Sequence, residues 1–309
     1  MNIEIREARR EDDPAIADLV NRNEPWRPYP LTADALRHGH AGVPRGRPDL
    51  ELVAWDGRGL VGWGWLRDDV WPAGALMLSL GVLEEHRRRG IGARLLSQLA
   101  AAAAGSADEI ATRVAEESEA GVAFALAQQF VERYRVYQFV LDLAAFDEAE
   151  LVGQLLQGAE LTLSTLAEQD SSDLRRGIYE LFTQTVADVP TPDPVPAQSF
   201  EEWEAEALGG SSAGTDIIVL ALHAQRPVAM CHLTVAGEGA WNSYTGVARD
   251  YRGRGLALAV KREGIRLGRE RGLRFIRTEN DTLNAGMIAI NERLGFRRRP
   301  GRIRFSRPL

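Results

Sequence analysis

The chain has 309 residues, a length that points to two domains or one large one. Hydrophobic residues make up 45% and charged residues 26%, which excludes a disordered or collagen-like chain and supplies apolar material for a packed core. A net charge of −7, from 37 Lys and Arg against 44 Asp and Glu, provides no global positive field for a nucleic-acid backbone, so no nucleic-acid partner is expected.

An alternating strand over Ile3–Ala8 leads to a helix from Asp12 to Asn21. A loop holding Trp26, Tyr29 and several prolines then leads to a short helix over Thr32–His40. Strands are expected over 50–56, 60–67 and 75–83, set off by turn signals at Asp56-Gly57 and Pro72-Ala73-Gly74. A helix over Gly90–Ala104, a strand over 109–114, a helix over 119–128 and a strand over 134–143 complete the first half. An acidic and apolar segment from Phe146 to Gly158 reads as a junction helix, dividing the chain into domains at 1–147 and 148–309. The second half repeats this order, with strands over 161–165, 216–222, 227–235, 240–248, 273–278 and 301–306. Its helices are expected over 171–186, 200–207, 254–271 and 284–293. The fold class is α+β, in two tandem domains.

The repetition is visible in the residues. LSLGVLEEHRRRGIGARLL (78–96) matches SYTGVARDYRGRGLALAVK (243–261), with Val82 opposite Val247, Arg87 opposite Arg252, Gly90 opposite Gly255 and Gly92 opposite Ala257, all 165 positions apart. The starts of the halves, at Ile3 and Leu161, are offset by 158, seven fewer. The second half therefore carries a net insertion, whose expected seat is the proline-rich segment 187–200.

Each matched segment ends a strand, makes a basic turn and opens a helix with R-x-x-G-x-G/A. The first amides of a helix lack internal partners and the helix dipole adds partial positive charge, so an anion is favoured there. Glycines at 90, 92, 253 and 255 are expected to leave room for phosphate oxygens. The G-x-G-x-x-G spacing and the downstream acidic residue of a dinucleotide fold are missing. A single such turn is weak evidence, since an arginine-rich surface turn reads the same way; two in the same context point to phosphate binding.

These turns resemble the acyl-coenzyme A signature of the GNAT superfamily of N-acetyltransferases, and the resemblance covers nearly the whole chain as a tandem GNAT protein. It implies that each domain is a mixed, mostly antiparallel twisted sheet flanked by helices. It also implies that acetyl-coenzyme A is the cosubstrate, its pyrophosphate on the turn and its pantetheine arm between splayed strands. On matching positions the implied contacts are Val82, Arg87, Arg88, Arg89, Gly90, Ile91 and Gly92 in the first half. In the second they are Val247, Arg252, Gly253, Arg254, Gly255, Leu256 and Ala257. In RTENDTLNAGMIAINERLGF (277–296), Asn284 matches a coenzyme-contacting Asn, or serves only as a helix N-cap. The first half has no comparable Asn, and Gln129-Phe130 replaces the closing Gly295-Phe296. The second half is thus the better candidate for catalysis.

Attack of a neutral amine on a thioester needs proximity, a donor for the developing oxyanion and proton transfers. The resemblance puts the oxyanion donor in the main chain near Val247. The family's acid Tyr is replaced by Asn291 here and by Ala125 in the first half. Tyr244 is a substitute acid or a packed aromatic; His232 and Glu279, with Asp281, are candidate bases. Cys231 and His232 point to opposite faces of their strand and form no dyad. Trp63 and Trp65 alternate with Gly62 and Gly64, which puts two indoles on one sheet face, chiefly as core.

No apolar run nears the roughly 18 residues of a membrane helix, and MNIEIREARRED alternates charge where a signal peptide is apolar. The single cysteine forms no intramolecular disulfide and no multi-thiolate zinc site. The expectation is a cytoplasmic monomer or homodimer with no metal and no membrane partner, acetylating a small-molecule amine. An acyl-coenzyme A-binding regulatory protein with little turnover is the alternative.

Overall fold

A computed structural model describes residues 3–24, 30–41, 48–68, 75–146, 161–190, 197–209 and 216–309. The expected junction helix, the turn at Pro72-Ala73-Gly74 and the loop with Trp26 and Tyr29 lie outside the described residues. Two compact units form, Met1–Tyr134 with Ile303–Leu309, and Arg135–Arg302. Unit 1 thus takes Ile303–Leu309 from the end of the chain and unit 2 starts within the first half, at Arg135, a division that differs from 1–147 and 148–309.

Unit 1 contains β1 (Glu4–Glu7), α1 (Asp13–Asn23), α2 (Ala33–Ala41), β2 (Asp49–Trp55), β3 (Leu60–Asp68), β4 (Ala75–Val82), α3 (Ile91–Ala102), β5 (Glu109–Ala115) and α4 (Glu119–Ala127). Its strands lie in the order β1-β2-β3-β4-β5, and only the β4–β5 pair is parallel. Strand alternation sorts β3 between two layers. A Cβ on Gly62 would stand 3.0 Å from Ile91 and one on Gly64 2.9 Å from Leu99, so these glycines let α3 lie close. Trp63 and Trp65 enter the opposite core with Ile16, Leu19, Val20 and Leu36. The expected core role holds, and each indole also donates to a carboxylate, Glu51 at 2.7 Å and Asp49 at 2.6 Å. Ile303 and Phe305 join Leu76, Leu96, Leu99 and Ile110 on the α3 face.

Unit 2 begins in β6 (Val131–Asp142) and continues through β7 (Leu161–Thr165), α5 (Leu166–Gln169), α6 (Ser172–Val186), α7 (Phe200–Ala207), β8 (Ile217–His223), β9 (Arg226–Ala236), β10 (Gly239–Val247), α8 (Leu256–Glu270), β11 (Phe275–Asp281), α9 (Ala285–Arg293) and the start of β12 (Arg297–Pro308). The order is β6-β11-β10-β9-β8-β7, again with one parallel pair, β10–β11. β8 reads IIVLALH because both its faces are covered. Ile218, Leu220 and Leu222 meet α5, α6 and α7, while Ile217, Val219 and Ala221 face the α8 side.

The extra residues of the second half are not seated where the prolines pointed. Asn23, which ends α1, and Asp188, two residues past α6, hold equivalent arginines, and they are already 165 positions apart. The offset therefore grows upstream of the proline-rich loop, chiefly through the greater length of α6, 15 residues against 11 in α1.

In both units the parallel pair parts company. β4 and β5 pair only from Ala75↔Glu109 to Leu78↔Thr112, and β10 and β11 only from Gly239↔Phe275 to Trp241↔Arg277. A carbonyl released at a fork needs another donor. Thr112 Oγ1 donates to Leu78 O at 3.0 Å, and Thr278 Oγ1 donates to Asn242 O at 3.1 Å. The forks differ in one respect. β10 carries a bulge between Asn242 and Tyr244 against β9, whereas the β3–β4 register runs unbroken from Asp68↔Leu76 to Gly62↔Val82.

Helices α4 and α9 end alike, in left-handed residues Gln129 (φ 63°) and Gly295 (φ 80°). A side chain is strained there and glycine is not. Gln129→Gly is expected to stabilise unit 1 by about 1 kcal/mol and Gly295→Ala to destabilise unit 2 by about the same, read as opposite shifts of urea midpoints. Thr278→Val, which orphans a buried carbonyl, is expected to cost about 1–2 kcal/mol and more than Thr112→Val, measured the same way.

Candidate functional site

The two basic turns have one geometry. After β4, residues Glu84–His86 make a single 3-10 turn, Arg88 (φ 62°) and Gly90 (φ 76°) are left-handed, and α3 starts at Ile91. After β10, Arg249–Tyr251 make the same turn, Gly253 (φ 73°) and Gly255 (φ 78°) are left-handed, and α8 starts at Leu256. A Cβ built on Gly90 or Gly253 meets nothing within 4 Å, so within the protein itself these glycines answer to conformation rather than to crowding. Gly92 is different, because a Cβ there would stand 3.1 Å from Phe124. The first helical bonds are Arg94 N–H to Gly90 O and Ala259 N–H to Gly255 O, both 3.0 Å. Three amides ahead of each, at 91–93 and 256–258, open onto the helix start, the arrangement that takes an anion.

The arginines of the motif largely serve the turn itself. Arg87 Nε donates to Val82 O at 3.0 Å and Arg252 Nε to Val247 O at 3.1 Å. Arg89 reaches Glu85 O and Arg254 reaches Asp250 O, each at 2.9 Å. Their outer brace differs between copies: Arg87 meets the neutral Asn23 at 2.8 Å, and Arg252 meets Asp188 at 2.6 Å. Arg249 also grips Asp188, and the two guanidinium groups hold its carboxyl far below the ordinary range. The Gly-Val pair before each turn has a steric reason. A Cβ on Gly81 would stand 2.9 Å from Asn23, and one on Gly246 2.6 Å from Thr185.

Each turn leads back along its last strand into a fork, and the linings contrast. In unit 1 Leu78, Leu80, Leu96, Val122 and Phe124 belong to one apolar cluster. In unit 2 buried Asn242, Lys261, Thr278 and Asn291 stand on or beside the fork. Asn291 is fully buried; its Nδ2 donates to Asn280 Oδ1 at 2.6 Å, and its Oδ1 has no hydrogen-bond partner. Lys261 approaches Asn242 Oδ1 with Nζ and lies 5.2 Å from the Phe296 ring. Lys261 and Asn242 are absent from the sequence-derived set. The available signal is a lysine at 261 on the buried face of α8, where the repeat has Leu96.

The remaining candidates are distributed as follows. Asn284 caps α9, its Oδ1 accepting from Met287 N–H at 3.2 Å. Ser118 does the same for α4, accepting from Gly121 N–H at 3.2 Å, so the first half fills this position with a residue other than Asn. His232 and Tyr244 are cross-strand neighbours. Tyr244 shares a hydrogen bond with Thr185 at 2.8 Å, and burial pushes its phenol up to about 12. His232 Nε2 lies 2.9 Å from Asp216 Oδ2, and Asp216 Oδ1 accepts from Val235 N–H at 3.0 Å. Glu279 accepts from Gln138 at 2.8 Å and lies 3.8 Å from Arg302. Cys231 is buried in the α8-side core, away from the imidazole beside it in sequence. Among the described residues no helix is long and apolar enough to cross a membrane.

Residues 49–134 match the acetyltransferase (GNAT) domain model, and residues 176–296 match the model of the acetyltransferase (GNAT) family. No protein of curated function matches the sequence. Over 99% of the chain the structure is similar to a GCN5-related N-acetyltransferase from Sphaerobacter thermophilus, at 17% identity, 95% coverage of that chain and a TM-score of 0.76. It is likewise similar over 99% of its length to a tandem GNAT protein from the clavulanic acid biosynthesis pathway, at 21% identity, 98% coverage of that chain and a TM-score of 0.77. With two family matches in one chain, and in each unit a left-handed basic turn leading into a forked parallel pair, the protein belongs to the GNAT superfamily of acyltransferases as a tandem member.

Proposed function

We propose that the chain is a cytoplasmic N-acetyltransferase that moves the acetyl group of acetyl-coenzyme A to the primary amine of a small molecule by direct attack, with the chemistry in unit 2. The observation that carries this reading is the polar fork of unit 2, continuous with an anion-ready helix start. The turn at Arg252–Ala257 takes the pyrophosphate on its open amides, with Val247 and Asn284 beside the arm. The turn at Arg87–Gly92 has the same shape above an apolar fork.

His232 is the base this geometry favours over Glu279. A carboxylate accepts only, so Asp216 accepts a hydrogen bond from the Nε2–H of His232 and leaves the Nδ1 lone pair free to receive a proton from the amine. Glu279 is already engaged by Gln138. Asn291 cannot serve as a general acid at neutral pH, but its free Oδ1 can fix a donor of the arm. A thiol with a pKa of about 8.5 in model form leaves with little acid assistance.

The second reading, an acyl-coenzyme A-binding regulator, draws on the same absence of an acid and on the engagement of the Tyr244 hydroxyl by Thr185. Thiol release from acetyl-coenzyme A across a panel of amines separates the two: acceptor-dependent release is expected, and tight binding without it would favour the regulator. Gly255→Glu is expected to abolish coenzyme binding to unit 2 by placing a carboxylate on the helix start. His232→Gln is expected to lower kcat about 100-fold or more with KM for the coenzyme unchanged, as measured in steady-state assays.

A further inference from the structure

A buried ammonium normally has a carboxylate partner, because leaving water unpaired is costly. Lys261 is 3% exposed, and the partners the structure gives it are Asn242 Oδ1 and the Phe296 ring. Asn242 carries the contact onward. Its Nδ2 donates to Tyr244 O at 2.9 Å and to His232 O at 3.1 Å, the Thr245 hydroxyl lies 3.2 Å from both Nδ2 and Oδ1, and its own carbonyl accepts from Thr278. With two carbonyls on one side and an ammonium on the other, its amide has a single workable orientation. These five partners surround the bulge at which β10 leaves β11.

Unit 1 is an internal control. There Leu78 receives the threonine bond that Asn242 receives in unit 2, and Leu96 stands where Lys261 stands. The β3–β4 register is unbroken, so the bulge and the Lys–Asn pair occur together and are missing together. We propose that Lys261, acting through Asn242, is a positioning residue for acyl transfer in unit 2: it sets the β10 bulge and polarises the Tyr244–Thr245 peptide against which the thioester is received. The inference rests on the reading that the fork holds the coenzyme arm. Hydrogen bonds in series strengthen one another, so a charge on Nζ is felt at that peptide. Burial pushes Lys261 down to about 8, and the titratable group acting on it is the Cys231 thiol of β9, itself pushed up by burial and neutral. Asn242, Thr245 and Phe296 carry no charge. The ammonium is therefore present at neutral pH and lost as pH rises through about 8.

The test is calorimetric titration of the full chain carrying Gly90→Glu, with S-acetonyl-coenzyme A, which keeps a carbonyl beside a sulfur that cannot be released. Its Kd is expected to rise about tenfold from about pH 7 to about pH 9.5, one pKa unit of coupling. Lys261→Met should be weak and flat across that range, with 3′-phospho-ADP, which reads the turn alone, bound equally by both. A flat titration of the chain that retains Lys261 overturns the proposal without requiring any Lys261 variant to fold. Equal weakening of 3′-phospho-ADP by Lys261→Met overturns it too, by making the lysine a prop of the turn. Unchanged analogue binding after Gly255→Glu removes the coenzyme reading beneath it.

Discussion

Two neighbouring parallel strands cannot separate inside a protein without stranding backbone groups that were paired. The rest of each unit depends on how that separation is tolerated. In both units a threonine on the departing strand returns its hydroxyl to the other strand where the pairing ends, Thr112 to the O of Leu78, the last paired residue, and Thr278 to the O of Asn242, one residue past it. The fork is thereby closed at its base and open at its mouth. The mouth leads to a helix start whose amides are held open by two left-handed residues, so a cleft and an anion site share one continuous piece of chain.

Holding the turn is mostly internal work. Arginines in a phosphate motif invite the assumption that each one reaches for the ligand. Here Arg87, Arg89, Arg252 and Arg254 tie the turn to its own carbonyls and to the end of the first long helix. The glycines at 81 and 246 exist because that helix end must approach the strand for the brace to form. What the turn leaves open to an anion is its main-chain amides, whose placement is exact only if the side chains around them are committed to the scaffold.

Much of this was legible in the residues. Alternation and helical periodicity located the elements, because each is amphipathic against one sheet face. The glycine turns declared themselves through repetition at a constant spacing. What escaped was whatever depends on contacts between distant residues. Conspicuous prolines point to a loop as the seat of the seven added residues, yet α6 absorbs most of them as a longer helix without leaving a compositional mark. Ser118 carries no sign of matching Asn284 in its residue type, although either side chain offers an oxygen to the N-cap. The bulge and the Lys261–Asn242 contact have no local signature. Nor does the assignment of Ile303–Leu309 to unit 1, since a strand's own pattern does not name the sheet it joins.

The two units break local rules in different ways, and the difference bears on which of them does chemistry. Unit 1 departs from ideal backbone at Arg88 and Gln129, side-chain residues in left-handed conformations that glycine holds in unit 2. These are small, dispersed strains that preserve a shape inherited from a common pattern. Unit 2 has glycine at those two points, its own left-handed side-chain residues being Ala224 and Gln225 in the β8–β9 turn, and at its fork it gathers a bulged strand, an ammonium for which the described residues show an amide oxygen and an aromatic ring as partners, and an asparagine with an unused acceptor. Unit 1 has apolar residues at the corresponding places, Leu78, Leu96 and Ala125, in one core cluster beside an unbroken β3–β4 register. Such groups cost stability in a core built for shape alone, and the proposal that unit 2 carries the chemistry gives their presence around a single fork a physical reason.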